Sequence, residues 1–270
     1  SFRLIPLNAL WLGMNLEAIV MQLFLGMIAF VANLLSALSG GGAGLVQLPA
    51  LIFLGLPFST ALATHKVASV ALGFGAGLRH VQERTLKTKL ALLILCFGLP
   101  GVCLGARLAL SIPAELGSVL LGFITFSLGF YSLQRPQLGV SEKLPRMTLI
   151  HWLIGGMGLF LIGALNGSFS SGTGLLVTIW LVRWFGLPYD QAVAYTLILV
   201  GLFWNGTGAL VLGLKGEIKW IWLPMLIAGS FLGGYAGAQL SISQGSHVVK
   251  RAFEIIALLM GTSLMIRGFL

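Results

Sequence analysis

Acidic residues are scarce in this chain: seven Asp and Glu in 270 residues, against sixteen Lys and Arg. Charge of either sign makes up only 9% of the sequence, where a soluble domain carries about 25%. With 57% hydrophobic residues and so little charge, the chain cannot cover itself in water and reads as an integral membrane protein. Cysteine is reduced to Cys96 and Cys103, seven apart on one face of an apolar helix, and both are expected to be buried thiols, with neither a disulfide nor a metal site. Catalytic signatures are missing too. There is no HExxH, no GxGD, no pair of membrane carboxylates and no Ser-His-Asp arrangement, which argues against an intramembrane enzyme. No GxxxxGK[ST] occurs, so an ATP site is excluded and no cofactor is expected. The first hydrophobic run lacks the basic lead and small-residue cleavage site of a signal peptide, so none is expected.

What charge there is sums to +9 but forms no patch. Arg79, Arg84, Lys87 and Lys89 fall in one membrane loop, and Arg135, Lys143 and Arg146 in another, as cytoplasmic loops require. Nucleic acid is therefore not an expected partner. Trp152, Trp184, Trp220 and Trp222 lie near segment ends, where an interfacial belt would place them. Hydrophobic segments run over about 16–38, 45–56, 59–78, 90–110, 116–133, 149–167, 174–186, 190–212, 220–240 and 252–269. Most approach the ~20 residues that span a bilayer, whereas 45–56 and 174–186 are short and read as re-entrant or partial spans.

The sequence displaced by 131 residues partly matches itself. "SGGGAGLVQLPALIFLGLPFSTALATHK" lies over "SSGTGLLVTIWLVRWFGLPYDQAVAYTL": Ser39 on Ser170, Gly41 on Gly172, and Gly55-Leu56-Pro57 on Gly186-Leu187-Pro188. These matches predict one all-α transmembrane domain over 1–270 built from two homologous repeats of four to five segments, 16–133 and 149–270, joined by a linker at 134–148. Ten crossings would invert the second repeat and eight would leave the repeats parallel. Both satisfy the positive-inside rule. The basic bias at 79–89 swaps to 241–251 in the second half, which favours inversion.

Consecutive glycines need a separate account. Glycines four apart, such as Gly229, Gly233 and Gly237, let membrane helices approach closely. Gly40, Gly41 and Gly42 point in different directions around a helix and are better read as a break, after which a short helix starts near Gly44. Its free amides and dipole suit an anion. "SFSSGTG" (168–174) precedes the other short segment and adds hydroxyls from Ser170, Ser171 and Thr173. Paired interrupted segments in two halves are the sequence pointer to a transporter site.

His65 and Lys66 lie some seven residues inside the third segment, about 10 Å from Ser59. A charge at mid-membrane costs about 2.5–3.5 kcal/mol and usually marks function. For Lys66 the alternative is snorkelling to the interface, although it shares a stripe with Ser69 and Gly73. For His65, a site role and a neutral ring bonded to a nearby carbonyl both stand. Thr196, preceded by Tyr195, occupies the position of His65 in the second half, so cation and imidazole come from one repeat and hydroxyls from the other. Asn166 and Asn205 either line the cavity or tie helices together. Asp190 reads as an N-cap.

These motifs resemble the TauE/SafE, or sulfite exporter, family of membrane permeases. The likeness rests on "SGGGAGLVQLP" with "GLPFSTALAT" in the first half and "SSGTG" with "GLPYDQAVAY" in the second, and covers the chain from about residue 16 onward. It departs at Thr64-His65-Lys66, where many members have Thr-Ser, and at Tyr195, where threonine is usual. The resemblance implies secondary transport of small sulfur-containing anions, such as sulfite or organosulfonates. The expected site is Ser39, Gly40, Gly41, Gly42, Thr64, His65, Lys66, Ser69, Asn166, Ser170, Ser171, Thr173, Tyr195, Thr196 and Asn205. Expected partners are a small anion and membrane lipid, with a homodimer as the oligomer allowed, in the cell (inner) membrane. A passive anion channel, an intramembrane enzyme and a structural subunit are the alternatives.

Overall fold

The computed structural model describes residues 16–81, 86–111, 113–134, 148–187, 189–244, 255, 258–259 and 261–266, and of 39, 81, 114, 117–118, 121, 128–129, 132, 189–190, 215 and 244 only the backbone. Every described element is helical. In chain order they are α1 Leu16–Ser39, α2 Ala43–Phe53, α3 Phe58–Val81, α4 Thr88–Ala109, α5 Ala114–Leu133, α6 Leu149–Ser168 and α7 Thr173–Phe185. Then α8 Tyr189–Tyr195 runs through a π-helical stretch, Thr196–Trp204, into α9 Asn205–Lys215, and a short 3₁₀ turn, Trp220–Trp222, leads to α10 Leu223–Gln244. Among the described residues, six helices are long and apolar enough to cross a membrane. The two short segments are helices of 11 and 13 residues, roughly 16–20 Å at 1.5 Å per residue, well short of a ~30 Å hydrocarbon core.

The surface and interior are inverted relative to a soluble protein. Leu149, Leu214 and Trp220 stand outward, while Lys66, Thr64, Asn33, Gln47 and Ser171 are fully buried. With lipid as solvent, apolar burial drives little association, and close backbone packing takes over. α1 packs along α10 and α4 along α6. A methyl group built on Gly229, Gly233 or Gly237 would stand 2.3 Å from the carbonyl oxygens of Gly26, Phe30 and Leu34 in turn, so the glycine stripe is the α1–α10 seam. The α4–α6 seam is closer still, with 1.9 Å between such a methyl on Gly105 and the Ala164 carbonyl oxygen. Gly105→Ala is therefore expected to cost about 1–3 kcal/mol, read as a lower melting temperature in detergent. Leu104→Ala, on the exposed side of the same helix, should stay within about 0.5 kcal/mol of wild type.

The cysteine expectation is corrected. Cys96 is exposed and Cys103 half-buried, because the face they share turns away from the α4–α6 seam; a thiol is apolar enough to sit there.

Candidate functional site

The first chain break is built as the glycine run demands. Gly40, Gly41 and Gly42 have φ of 83°, 126° and 114°, a left-handed region closed to ordinary side chains, and α2 starts at Ala43. In the second break Ser170 (φ 59°) and Gly172 (φ 64°) play that part, and α7 starts at Thr173. The breaks meet each other. A methyl on Gly41 would stand 2.6 Å from the Gly174 Cα, and one on Gly44 2.8 Å from the Ser170 carbonyl oxygen. Two helix N-termini, each with first-turn amides that have no intrahelical acceptor, thus face one buried cavity of about 30 Å³.

Gly41, Gly42, His65, Ser69, Asn166, Ser170, Thr173, Thr196 and Asn205 line this cavity. His65, Ser69 and Leu72 share one face of α3, and the His65 ring nitrogens lie 3.3 and 3.4 Å from the Ser69 hydroxyl oxygen. Lys66, one residue round the helix, stands behind the lining. Its ammonium is fully buried and donates to Asn166 Oδ1 (2.6 Å) and Asn205 Oδ1 (3.1 Å), the side chains that do face the cavity. Snorkelling is thereby excluded for Lys66. Asn166 Nδ2 in turn donates to Thr173 Oγ1 (2.8 Å), whose hydroxyl donates to the Ser170 carbonyl (3.1 Å).

Other expected residues lie off the cavity. Thr64 accepts from the Lys219 amide (3.0 Å), its side of α3 being turned toward the segment before α10. Ser171 pairs with Thr125 (2.7 Å), and Tyr195 bonds the Lys87 backbone. Gly40 stands one step away: its carbonyl accepts from Thr178 Oγ1 (2.7 Å), which is also paired with Thr196 Oγ1 (2.8 Å). The Ser39 side chain is outside the described residues.

Ser36, Ala43, Gly44, Gly174, Leu197, Val200 and Gly201 also line the cavity. Gly201 sits in the π-helical stretch and takes the backbone of Gly73 against it, a methyl on Gly73 falling 2.6 Å from the Gly201 carbonyl carbon. Single-turn π segments often accompany functional sites, but no residue pattern announces this one. Beside the cavity, Asn33 Nδ2 donates to Gln47 Oε1 (3.0 Å) and Ser230 Oγ (2.9 Å), a buried knot whose signal was three amides and hydroxyls in otherwise apolar segments. Among the described residues no group of His, Cys, Asp or Glu could hold a metal ion.

Comparison with known proteins agrees with this architecture. Residues 25–264 match the family described as sulfite exporter TauE/SafE. A probable membrane transporter protein of Haemophilus influenzae is 29% identical over 86% of this chain and 90% of its own length. The probable membrane transporter protein YfcA of Escherichia coli K12 is 26% identical over 91% of each chain. YunE of Bacillus subtilis, also a probable membrane transporter protein, is 23% identical over 89% of this chain and 96% of its own. No solved structure matches. A family match spanning nearly the whole sequence, on a bundle of long apolar helices, means that this chain belongs to the TauE/SafE sulfite exporter family.

Proposed function

We propose that the protein is a secondary transporter, not an enzyme, that carries small sulfur-containing anions such as sulfite or organosulfonates across the cell (inner) membrane. The observation that carries this reading is the meeting of two helix N-termini at one buried cavity whose described lining holds a histidine, amides and hydroxyls but no acid. Amide N–H groups, two positive dipole ends and a buried cation one layer back favour an oxyanion and disfavour a cation. The relatives' names and the family's description support transport and a sulfur oxyanion.

The chain works, on this reading, as two repeats, 16–133 and 149–270. α1 and α6 occupy equivalent positions, as do α4 and α10, and the observed pairs α1–α10 and α6–α4 are the crosswise contacts that exchanging two such halves would generate. This exchange supports a two-fold relation and, with the charge swap, inverted repeats. Two interrupted segments in corresponding positions of the halves support a carrier over an open pore.

Uptake into proteoliposomes tests the reading. Wild type is expected to take up labelled sulfite and methanesulfonate saturably and in response to an imposed gradient, with chloride and phosphate competing poorly. Transport of neither sulfur anion would remove the substrate assignment, and flux indifferent to the gradient would make the protein a channel.

A further inference from the structure

Lys66 is the one residue of the expected site that is charged, yet it is not at the cavity surface. Its Nζ, fully buried, faces the side-chain oxygens of two asparagines, and these asparagines line the cavity. An ammonium only donates, so the atom of each asparagine turned toward it must be the oxygen. That fixes both amides without ambiguity: each has its Nδ2 end directed away from the lysine.

The consequences differ for the two amides. Asn166 Nδ2 lies 2.8 Å from Thr173 Oγ1 and spends one hydrogen there; the Thr173 hydroxyl then gives its own hydrogen to the Ser170 carbonyl at 3.1 Å. This chain of donors holds the second break and leaves the Thr173 hydroxyl no hydrogen to offer. Asn205 is different. It is 7% exposed, lines the cavity, and its Nδ2 has no partner among the described residues. That amide nitrogen is not walled off from the cavity, so it can donate to whatever occupies it.

We infer that Lys66 is a positioning residue: it clamps Asn166 and Asn205 donor-side inward, so that Asn205 Nδ2, and not the lysine, is the ligand of the anion. The inference rests on the anion reading above and adds to it the group that binds. The clamp spans the two halves, since Lys66 comes from α3 while Asn166 closes α6 and Asn205 opens α9. It also accounts for Gly208, one turn after Asn205: a methyl there would stand 2.7 Å from Lys66 Cδ, so glycine makes the room through which the lysine stem passes. A single positive charge screened from the anion by neutral donors attracts it without an ion pair that would have to be broken on release.

The test is a double-mutant cycle on the full chain, purified in detergent and titrated calorimetrically with sulfite and with methanesulfonate, alongside melting curves. Lys66→Met and Asn205→Ala are each expected to weaken binding about 10- to 100-fold. The double variant should lie within about threefold of the weaker single, because Lys66 acts through Asn205. Asn205→Asp keeps an oxygen for the lysine but presents a second oxygen to the cavity; it should bind neither anion while melting no lower than wild type. That combination separates ligand orientation from simple structural support. Should Lys66→Met fail to fold, Gly208→Ala displaces the lysine stem with its charge intact; it should weaken binding in otherwise wild-type protein and weaken it no further in the Asn205→Ala background. Losses that multiply in the double variant mean that Lys66 touches the anion itself, and wild-type affinity in Asn205→Ala removes the proposed ligand; either overturns the inference alone. Wild type that binds neither anion overturns the inference together with the anion reading on which it rests.

Discussion

Exchange of Lys66 for glutamate is expected to reduce uptake of sulfur oxyanions to background and to lower the melting temperature of the purified protein. The carboxylate would face Asn166 Oδ1 and Asn205 Oδ1, two acceptors that now receive an ammonium at 2.6 and 3.1 Å. Two outcomes are open to the site, and both remove anion binding. If the amides hold their orientation, three sets of oxygens crowd one buried volume, and an uncompensated buried charge costs roughly 3–5 kcal/mol. If the amides rotate to donate to the glutamate, their oxygens turn toward the cavity, which then presents acceptors to an anion. Rotation would also take Asn166 Nδ2 from Thr173 and loosen the Ser170 break, whose φ of 59° needs such support. Uptake in proteoliposomes and thermal melts of the same preparation check the prediction. Wild-type uptake by this variant would separate Lys66 from anion recognition altogether.

Gly41→Val is expected to be the most damaging single change at the site. Two penalties coincide there. A φ of 126° is a region that a β-branched residue does not adopt without strain of about 1–3 kcal/mol. The first side-chain carbon would also stand 2.6 Å from the Gly174 Cα and 2.8 Å from the Leu175 nitrogen, so it meets backbone, which cannot rotate aside. Overpacking of this kind adds about 1–3 kcal/mol more. The sum, on the order of 2–6 kcal/mol, is comparable with the whole stability of many proteins. Loss of monodisperse protein on size exclusion, or a large drop in melting temperature, checks it. Gly55→Val is the informative partner. Gly55 has a left-handed φ of 98° but open space around it, so it carries the backbone strain without the collision, and its loss should be the smaller.

Much of this architecture was legible in the chain. The low charge and long apolar runs led to the membrane bundle, the short segments at 45–56 and 174–186 led to two half-length helices, and consecutive glycines led to a break where left-handed backbone is found. The stripe of Gly229, Gly233 and Gly237 became a seam for the reason its spacing implied. Site residues were less legible where the question was direction. Thr64, His65 and Lys66 are consecutive, and a helix sends them to three places: the segment before α10, the cavity, and the asparagines behind its lining. Ser170, Ser171 and Thr173 read alike as hydroxyl donors, yet Ser171 is turned to Thr125 and Thr173 gives its hydrogen to the backbone.

The sequence by itself determined the class of solvent, the helical type of the elements and where the chain must break, because these depend on local composition, on the absence of charge and on the steric freedom of glycine. Only the tertiary structure decided which groups face the anion. That choice depends on contacts between residues a hundred or more positions apart, Lys66 with Asn166 and Asn205, Gly41 with Gly174, Gly73 with Gly201. It depends also on a π-helical stretch, Thr196–Trp204, whose added residue per turn resets the facing of everything after it. Local sequence fixes what a side chain can donate or accept; packing across the two halves fixes to whom.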